Sequence, residues 1–203
     1  MRPPAQKHQL RIMRQGSCIL AAIVLMASCE ERQAPFDEQA ALEHGGGIAL
    51  AAFQQLSGRL QDAMQAGGPA HAVEYCSLAA LPLLDSLSSA KGLRIRRTSD
   101  KIRAPHDAPD ADEQRRLGEV LDLLAKGTPG MRITSQVVLL GDSVAYYQPI
   151  LINMPACLRC HGVPGRDIDS TTLAAIQQRY PGDAATGYGM GDLRGLWSIR
   201  WER

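Results

Sequence analysis

The sequence contains few aromatic residues, few cysteines and almost no net charge. Only 4% of its 203 residues are aromatic, so we expect something other than aromatic side chains to fill part of the interior. Five cysteines are too few for a disulfide-stapled scaffold. The 22 basic and 21 acidic residues give a net charge of +1, which argues against a strongly basic nucleic-acid binder and an acidic disordered tail. We therefore expect no nucleic-acid partner.

The sequence also lacks a hydrophobic run long enough to span a membrane. Its longest run, residues 18–27, has 10 residues, whereas a transmembrane helix needs about 20. Before this run stand four bases and no acid: Arg2, Lys7, Arg11 and Arg14. A basic head followed by a short apolar run is typical of a secretory signal peptide. We predict that residues 1–28 are such a peptide.

The signal peptide ends in Met26-Ala27-Ser28-Cys29, which resembles a bacterial lipobox, although leucine is commoner in the place of Met26. The resemblance implies cleavage before Cys29 and lipidation of its thiol. We expect a periplasmic lipoprotein anchored to a membrane through Cys29, with residues 29–47 as a tether. The alternative is a cysteine that happens to follow an ordinary signal peptide. Cleavage would remove four bases and no acid, so the mature chain would carry a net charge of −3.

Residues 48–203 have the pattern of a single α+β domain. Gly45, Gly46 and Gly47 disfavour a helix start before residue 48. Phe53, Leu56, Leu60 and Met64 share one helix face. The patterns predict, in chain order, a helix over 48–66, a break at 67–69, a helix to Gly92, a strand over 93–96, a loop over 99–110, a helix opened by Asp110 and Glu113 and ended by Gly127, strands over 133–140 and 143–152 joined at Gly141-Asp142, a helix over 171–179 and a strand over 196–201.

The strongest chemical signal is Cys157-Leu-Arg-Cys160-His161. The spacing C-x-x-C-H is the attachment sequence for c-type haem. Its two thiols form thioethers with the vinyl groups, and the adjacent imidazole can bind the iron. The two-residue gap matches the vinyl separation when the segment forms a helical turn. The sequence therefore predicts one covalent haem c with His161 as an axial ligand.

Two other interpretations of this motif are weaker. A thioredoxin-like disulfide between Cys157 and Cys160 would lie at a helix start within a βαβ unit, which the pattern lacks. A zinc site would need two more ligands, and the only other cysteines of the mature chain are Cys76 and Cys29. The export signal favours haem, because bacteria attach covalent haem after translocation.

The residues alone leave the second axial ligand open. Cys76 lies on an apolar helix stripe, where a buried free cysteine usually acts as a small hydrophobe. Met190, in a Gly-rich loop, is favoured over Met154, His71 and His106, because Met/His ligation is common in cytochromes c. Buried haem propionates would need cations. Arg97, Arg103 and Arg194 stand beside turn residues and are candidates, although each could equally be a solvated surface arginine.

Several segments together resemble the PAS-like single-haem c-type family, formerly listed as a domain of unknown function. Its members are standalone exported proteins and sensor domains. The resemblance covers about residues 48–202, although the family usually has Asn where Ala104 and Asp107 stand. It rests on Ala72-Val-Glu-Tyr-Cys76, Arg97-Thr-Ser99, Arg103-Ala-Pro105-His-Asp-Ala-Pro109, Tyr147-Gln-Pro149-Ile150, Cys157-Leu-Arg-Cys160-His161-Gly162, Tyr180-Pro181-Gly-Asp183, Gly187-Tyr188, Gly191-Asp192 and Arg194-Gly195.

This resemblance implies a small antiparallel PAS-like sheet flanked by helices and preceded by a long N-terminal helix. It also implies that Cys76 and His161 are the axial ligands, with a lower redox potential than Met/His ligation gives. The expected function is that of a sensor of redox state or of a diatomic gas, or of a single-electron carrier, with a redox or signalling protein as partner. The alternatives are a peroxidase-like haem enzyme with an open sixth site and a non-haem lipoprotein that uses Cys157 and Cys160 in thiol redox chemistry.

Overall fold

A computed structural model describes residue 1 and residues 35–203 of the protein. The expected signal peptide beyond residue 1 and the expected lipidation site Cys29 lie outside the described residues. Within the described part of the chain, no helix is both long and apolar enough to cross a membrane.

Residues 36–203 form an α+β unit around a four-stranded antiparallel sheet with the strand order β1-β4-β3-β2. The predicted fold class and long N-terminal helix are confirmed. The elements are α1 (Glu38–Lys91), β1 (Arg94–Thr98), α2 (Ala111–Ala125), β2 (Gln136–Leu140), β3 (Ser143–Leu151), α3 (Pro155–His161), α4 (Ser170–Arg179) and β4 (Leu193–Glu202). Short 3-10 helices cover Pro105–Asp107 and Gly130–Arg132.

Helix α1 begins at Glu38, ten residues before the predicted start. Asp37 caps it by accepting a hydrogen bond from the backbone N–H of Ala40 at 3.0 Å. Residues 38–47, expected to belong to a tether, are therefore helical. Gly45 is buried inside this helix, and a Cβ there would lie 2.7 Å from the Cβ of Tyr146. The glycine permits close approach to the sheet rather than ending a helix.

The predicted break at residues 67–69 is a kink within α1. Gly67 and Gly68 depart from helical geometry, with a φ of 75° at Gly68, and Pro69 begins the second arm. This arm, residues 69–91, ends at Gly92 in the left-handed conformation. It carries Val73 onto Ile168 and Ile176. The kink thus brings the second arm against the α3–α4 region.

The sheet is covered on both faces. On one face α1 contributes Ile48, Ala52 and Leu84, while on the other α2 contributes Leu117 and Val120. Neighbouring strand residues point to opposite faces, so Tyr146 packs under α1 and Tyr147 under α2. The sheet contacts the α1 face centred on Ile48 and Ala52. Two members of the predicted α1 stripe are consequently exposed, Phe53 by 45% and Leu60 by 42%.

The capping box of Asp110 and Glu113 and the β2–β3 hairpin form where the sequence predicts them. The Asp110 side chain accepts from the backbone N–H of Glu113 at 2.9 Å, and the Glu113 carboxylate accepts from that of Asp110 at 2.9 Å. The turn between β2 and β3 is formed by Gly141 and Asp142, with Leu140 paired to Ser143. Gly141 has a φ of 63°, which glycine adopts without strain.

Candidate functional site

Helix α3 carries all three residues of the attachment motif. It begins with Pro155 at its first turn and ends at Gly162, whose backbone N–H donates to the Leu158 carbonyl at 2.8 Å. The predicted helical turn is therefore present. The thiols are free and lie in different apolar surroundings. Cys157 packs against a cluster of Ile152, Ala185 and Tyr188, and Cys160 against one of Val73, Ile168 and Ile176.

The imidazole of His161 is oriented by a backbone carbonyl. Its Nδ1 lies 2.8 Å from the carbonyl oxygen of Ala185, which can only accept a hydrogen bond. Nδ1 therefore holds the proton, and Nε2 keeps a lone pair. Burial lowers the pKa of His161 well below its ordinary value, and the charges of Arg194 and Arg103 lower it further. The side chain is thus a neutral imidazole in the Nδ1–H tautomer, which leaves Nε2 free to bind a metal.

The second arm of α1 brings Cys76 to the same site. Its thiol is half-buried, and this burial raises its pKa, while the charge of Arg97 opposes the rise. Burial also raises the pKa of Cys160, Arg103 opposes that rise, and the charge of Cys76 adds to it. Cys76 and Cys160 therefore lie within electrostatic range of each other, although they are separated by more than 80 residues in the chain.

The other candidate axial ligands lie in more accessible places. Met190 is 51% exposed and Met154 is 47% exposed. His71 is exposed as well, and the side chain of His106 retains 46% exposure. None of the four shares the half-buried setting of Cys76.

Two predicted arginines present unused donors at the site. The Nε atoms of Arg97 and Arg194 are buried and have no hydrogen-bond partner among residues 35–203, as is also true of the Nε atoms of Arg96, Arg116 and Arg200. Both charges act on the pKa of His161, which places both near its imidazole. A buried donor without an acceptor is unfavourable by about 1–3 kcal/mol. The arrangement therefore fits an acceptor of negative charge, such as a haem propionate.

Arg103 differs from these two arginines because its donors are already used. Its Nε donates to Asp183 Oδ1 at 3.0 Å, and its Nη2 donates to the carbonyl oxygens of Cys160 at 2.7 Å and Ala185 at 3.3 Å. Only 11% of the side chain is exposed. Arg103 thus ties the end of α3 to the loop that orients His161.

A cleft of about 390 Å³ lies between the second arm of α1, β1 and the 3-10 helix Pro105–Asp107. Its charged lining residues are Arg94, Arg96, Arg97, Asp85 and Asp107, beside the apolar Leu81 and Leu84. Among the predicted site residues that the structure describes, only Arg97 lines this cleft. In the described part of the chain, no group of three His, Cys, Asp or Glu side chains is placed to hold a metal ion by itself.

A family model described as Tll0287-like matches residues 11–201. The chain belongs to the Tll0287-like family. A solved structure, the "Crystal structure of the cyanobacterial heme-protein Tll0287", is 23% identical to the chain. The match covers 77% of this chain and 94% of that chain, with a TM-score of 0.57, which shows a shared fold. Among curated proteins, none matches.

In this Tll0287-like protein, sequence reasoning missed Asp183 and Ala185 as site residues. The signal for Asp183 was its place in the segment Tyr180-Pro181-Gly-Asp183. Ala185 contributes through its backbone carbonyl, which no residue pattern reveals. Electrostatic interactions connect six predicted site residues: Cys76 interacts with Arg97 and Cys160, Cys160 with Arg103, and His161 with Arg97, Arg103 and Arg194.

Proposed function

We propose that this Tll0287-like protein is an exported, monohaem c-type protein that senses redox state or a diatomic gas, or carries single electrons. The observation that carries the proposal is the state of His161. Its imidazole is neutral, its Nδ1 proton is engaged by Ala185, and its Nε2 lone pair is available on the helical turn that also presents two free thiols. The structurally similar Tll0287 is described as a heme-protein, which supports the same interpretation.

Each predicted site residue would bind a different part of one haem. Cys157 and Cys160 would form the two thioethers, and His161 and Cys76 would bind the iron. Arg97 and Arg194 would donate their unused Nε–H groups to the propionates. When bound, the haem supplies a one-electron change at its iron, and a thiolate ligand favours the oxidised state.

Without a bound metal, the Cys76 side chain is a protonated thiol. Burial raises its pKa, so the free side chain keeps its proton at neutral pH. A thiol that coordinates a metal ion loses this proton. The charge of Arg97 lies near enough to affect the Cys76 pKa and would balance the thiolate. An enzyme with an open sixth site is disfavoured, because the Cys76 thiol lies within electrostatic range of Cys160 on the attachment helix.

Thiol–disulfide exchange is also disfavoured. A redox-active C-x-x-C motif of the thioredoxin type lies at a helix start within a βαβ unit. The sheet in the described residues is antiparallel throughout. Cys157 and Cys160 are therefore better suited to permanent thioethers than to reversible exchange.

The proposal includes export to the periplasm and anchoring through a lipid on Cys29. It is supported by the basic head, the 10-residue apolar run and the lipobox-like end of residues 1–29. The partner would be a redox or signalling protein, which exchanges the electron or receives the signal.

The direct test is to express the full chain with the bacterial haem-attachment machinery. We expect haem staining after denaturing electrophoresis and an added mass of about 616 Da. We also expect low-spin spectra in both oxidation states, with little change under CO. The double variant Cys157→Ser/Cys160→Ser should lose the stain. A bare polypeptide mass would refute the proposal, whereas high-spin spectra with peroxide turnover would favour the peroxidase-like enzyme.

A further inference from the structure

The carbonyl oxygen of Ala185 is shared by two donors. His161 Nδ1 lies 2.8 Å from it, and Arg103 Nη2 lies 3.3 Å from it. Each donor withdraws electron density from the same oxygen, so a charged guanidinium makes that oxygen a weaker acceptor for the imidazole. The hydrogen bond of His161 therefore depends on where Arg103 is held.

The Asp183 carboxylate accepts hydrogen bonds from both Arg103 and Ala185. Its Oδ1 accepts from Arg103 Nε at 3.0 Å and from the backbone N–H of Ala185 at 3.1 Å. Its Oδ2 accepts from Arg103 Nη2 at 3.3 Å. Ala185 is thus bound through its N–H by Asp183 and through its carbonyl by Arg103.

Arg103 and Asp183 are largely buried, which strengthens their electrostatic interactions with Ala185. Only 11% of the Arg103 side chain and 7% of the Asp183 side chain are exposed, so solvent screens the contacts little. Tyr180 lies against the guanidinium, with its ring centroid 5.9 Å from Arg103 Cζ. Arg103 also donates to the carbonyl of Cys160, one residue before His161. These contacts fix the guanidinium relative to both ends of the His161–Ala185 hydrogen bond.

The strength of this hydrogen bond controls the basicity of the ligand. An imidazole that donates Nδ1–H to a strong acceptor becomes a more basic metal ligand, and a weaker acceptor leaves it less basic. A more basic ligand stabilises oxidised iron. We propose that Arg103 and Asp183 are positioning residues that weaken the Ala185 acceptor and thereby raise the redox potential of the iron bound to His161. This inference rests on the proposed haem function.

The test measures the midpoint potential of the haem-loaded protein. Arg103→Lys keeps the positive charge but cannot reproduce the forked contacts of a guanidinium. Arg103→Gln removes charge and contacts together. Arg159→Gln is the control for charge alone, because Arg159 affects the pKa of Cys160 through its charge. We expect a lower potential in both Arg103 variants and a smaller change in Arg159→Gln. A wild-type potential in Arg103→Lys would overturn the proposal.

A second measurement keeps the test decisive if Arg103→Lys fails to fold. Asp183→Asn retains an oxygen for the Ala185 N–H but loses the charge that holds the guanidinium against the Ala185 carbonyl. We expect the NMR resonance of the His161 Nδ1 proton, in reduced protein, to move downfield as its hydrogen bond strengthens. An unchanged resonance would contradict the proposal. Wild-type protein without a Soret band would instead refute the haem function itself, so the two failures are distinguishable.

Discussion

Gly45 of α1 lies directly against Tyr146 of β3. A Cβ at position 45 would lie 2.7 Å from the Cβ of Tyr146 and also overlap its ring. Both residues are buried in the core between α1 and the sheet. The contact sets how closely the first arm of α1 approaches the sheet.

We expect Gly45→Ala to destabilise the protein by about 2 kcal/mol, because the added methyl forces the helix and sheet apart. Gly47→Ala is the matched control: position 47 is exposed, and its Cβ would meet nothing within 4 Å. Alanine there should stabilise the helix by about 0.5–1 kcal/mol. Urea denaturation of both variants measures the difference. Equal stabilisation in both would show that α1 does not approach Tyr146 this closely.

The same contact shows where sequence reasoning failed for the fold. Gly45, Gly46 and Gly47 predicted a late helix start, because propensity considers each residue alone. In the folded chain the closeness of Tyr146, about 100 residues further along, determines which side chain fits at position 45. Local signals such as the kink at Gly68, the Asp110 capping box and the turn at Gly141 were predicted correctly, because neighbouring residues decide them.

The candidate site likewise combines a local motif that the sequence reveals with long-range contacts that it does not reveal. Cys157, Cys160 and His161 lie within five residues, so their spacing alone reveals the motif. The pairing of Arg103 with Asp183 joins residues 80 positions apart, and no sequence pattern identifies the partner. Arg103 was expected to bind a propionate, yet Asp183 and two carbonyls engage it. Whether it also contacts a propionate stays a prediction.

Cys76→Ala tests the axial ligand. We expect covalent haem to remain, because both attachment thiols are intact, while the Soret band shifts and the midpoint potential rises with the loss of a thiolate donor. Met190→Leu is the control and should leave the spectrum unchanged, since Met190 is 51% exposed. Absorption spectroscopy and redox titration measure both. A shift in Met190→Leu alone would assign the position to Met190 instead.

Arg97→Met tests the role of the unused guanidinium donor. In haem-loaded protein we expect the free energy of unfolding to fall by about 1.5–3 kcal/mol, which is the contribution of a charge-assisted hydrogen bond to a propionate. In the Cys157→Ser/Cys160→Ser background, which carries no covalent haem, the same substitution should instead stabilise the protein by about 1–3 kcal/mol, because it removes a buried Nε–H that has no acceptor within residues 35–203.

Arg116→Met serves as its control. Arg116 donates to Glu119 at 2.8 Å and to Gln136 at 3.2 Å, so its loss should weaken both forms equally. Thermal unfolding of the four proteins provides the comparison. An Arg97→Met effect of the same sign and size in both backgrounds would remove the argument for propionate binding.

Asp110 gives the protein an acid-sensitive contact. Burial would raise the pKa of this carboxyl, but the backbone N–H of Glu113 and the charge of Arg200 outweigh burial and hold it below its ordinary value. Its ion pair with Arg200 measures 2.8 Å. A lowered pKa means that the unfolded chain binds a proton first. The stabilisation is therefore present above about pH 3.9 and is lost as the pH falls through the lower folded value.

Asp110→Asn isolates this charge, because asparagine caps a helix nearly as well as aspartate. We expect it to lower stability by up to about 1 kcal/mol at pH 7, given that 37% of the side chain is exposed. The difference from wild type should shrink as the pH falls below about 3.9. Asp110→Ala, which also loses the cap, should remain less stable at pH 7 and at pH 3. Urea denaturation at pH 7 and pH 3 tests this, and a constant Asp110→Asn deficit would show that the charge is not its cause.

Cys29→Ser tests the proposed membrane anchor. Acylation requires the Cys29 thiol, so we expect the variant to leave the membrane fraction while haem is still attached after export. Cys18→Ser is the matched control, because Cys18 lies within the apolar run of the signal peptide and would be removed by cleavage. Fractionation and mass spectrometry of the mature N-terminus measure both variants. Membrane association that survives Cys29→Ser would contradict anchoring through this lipid.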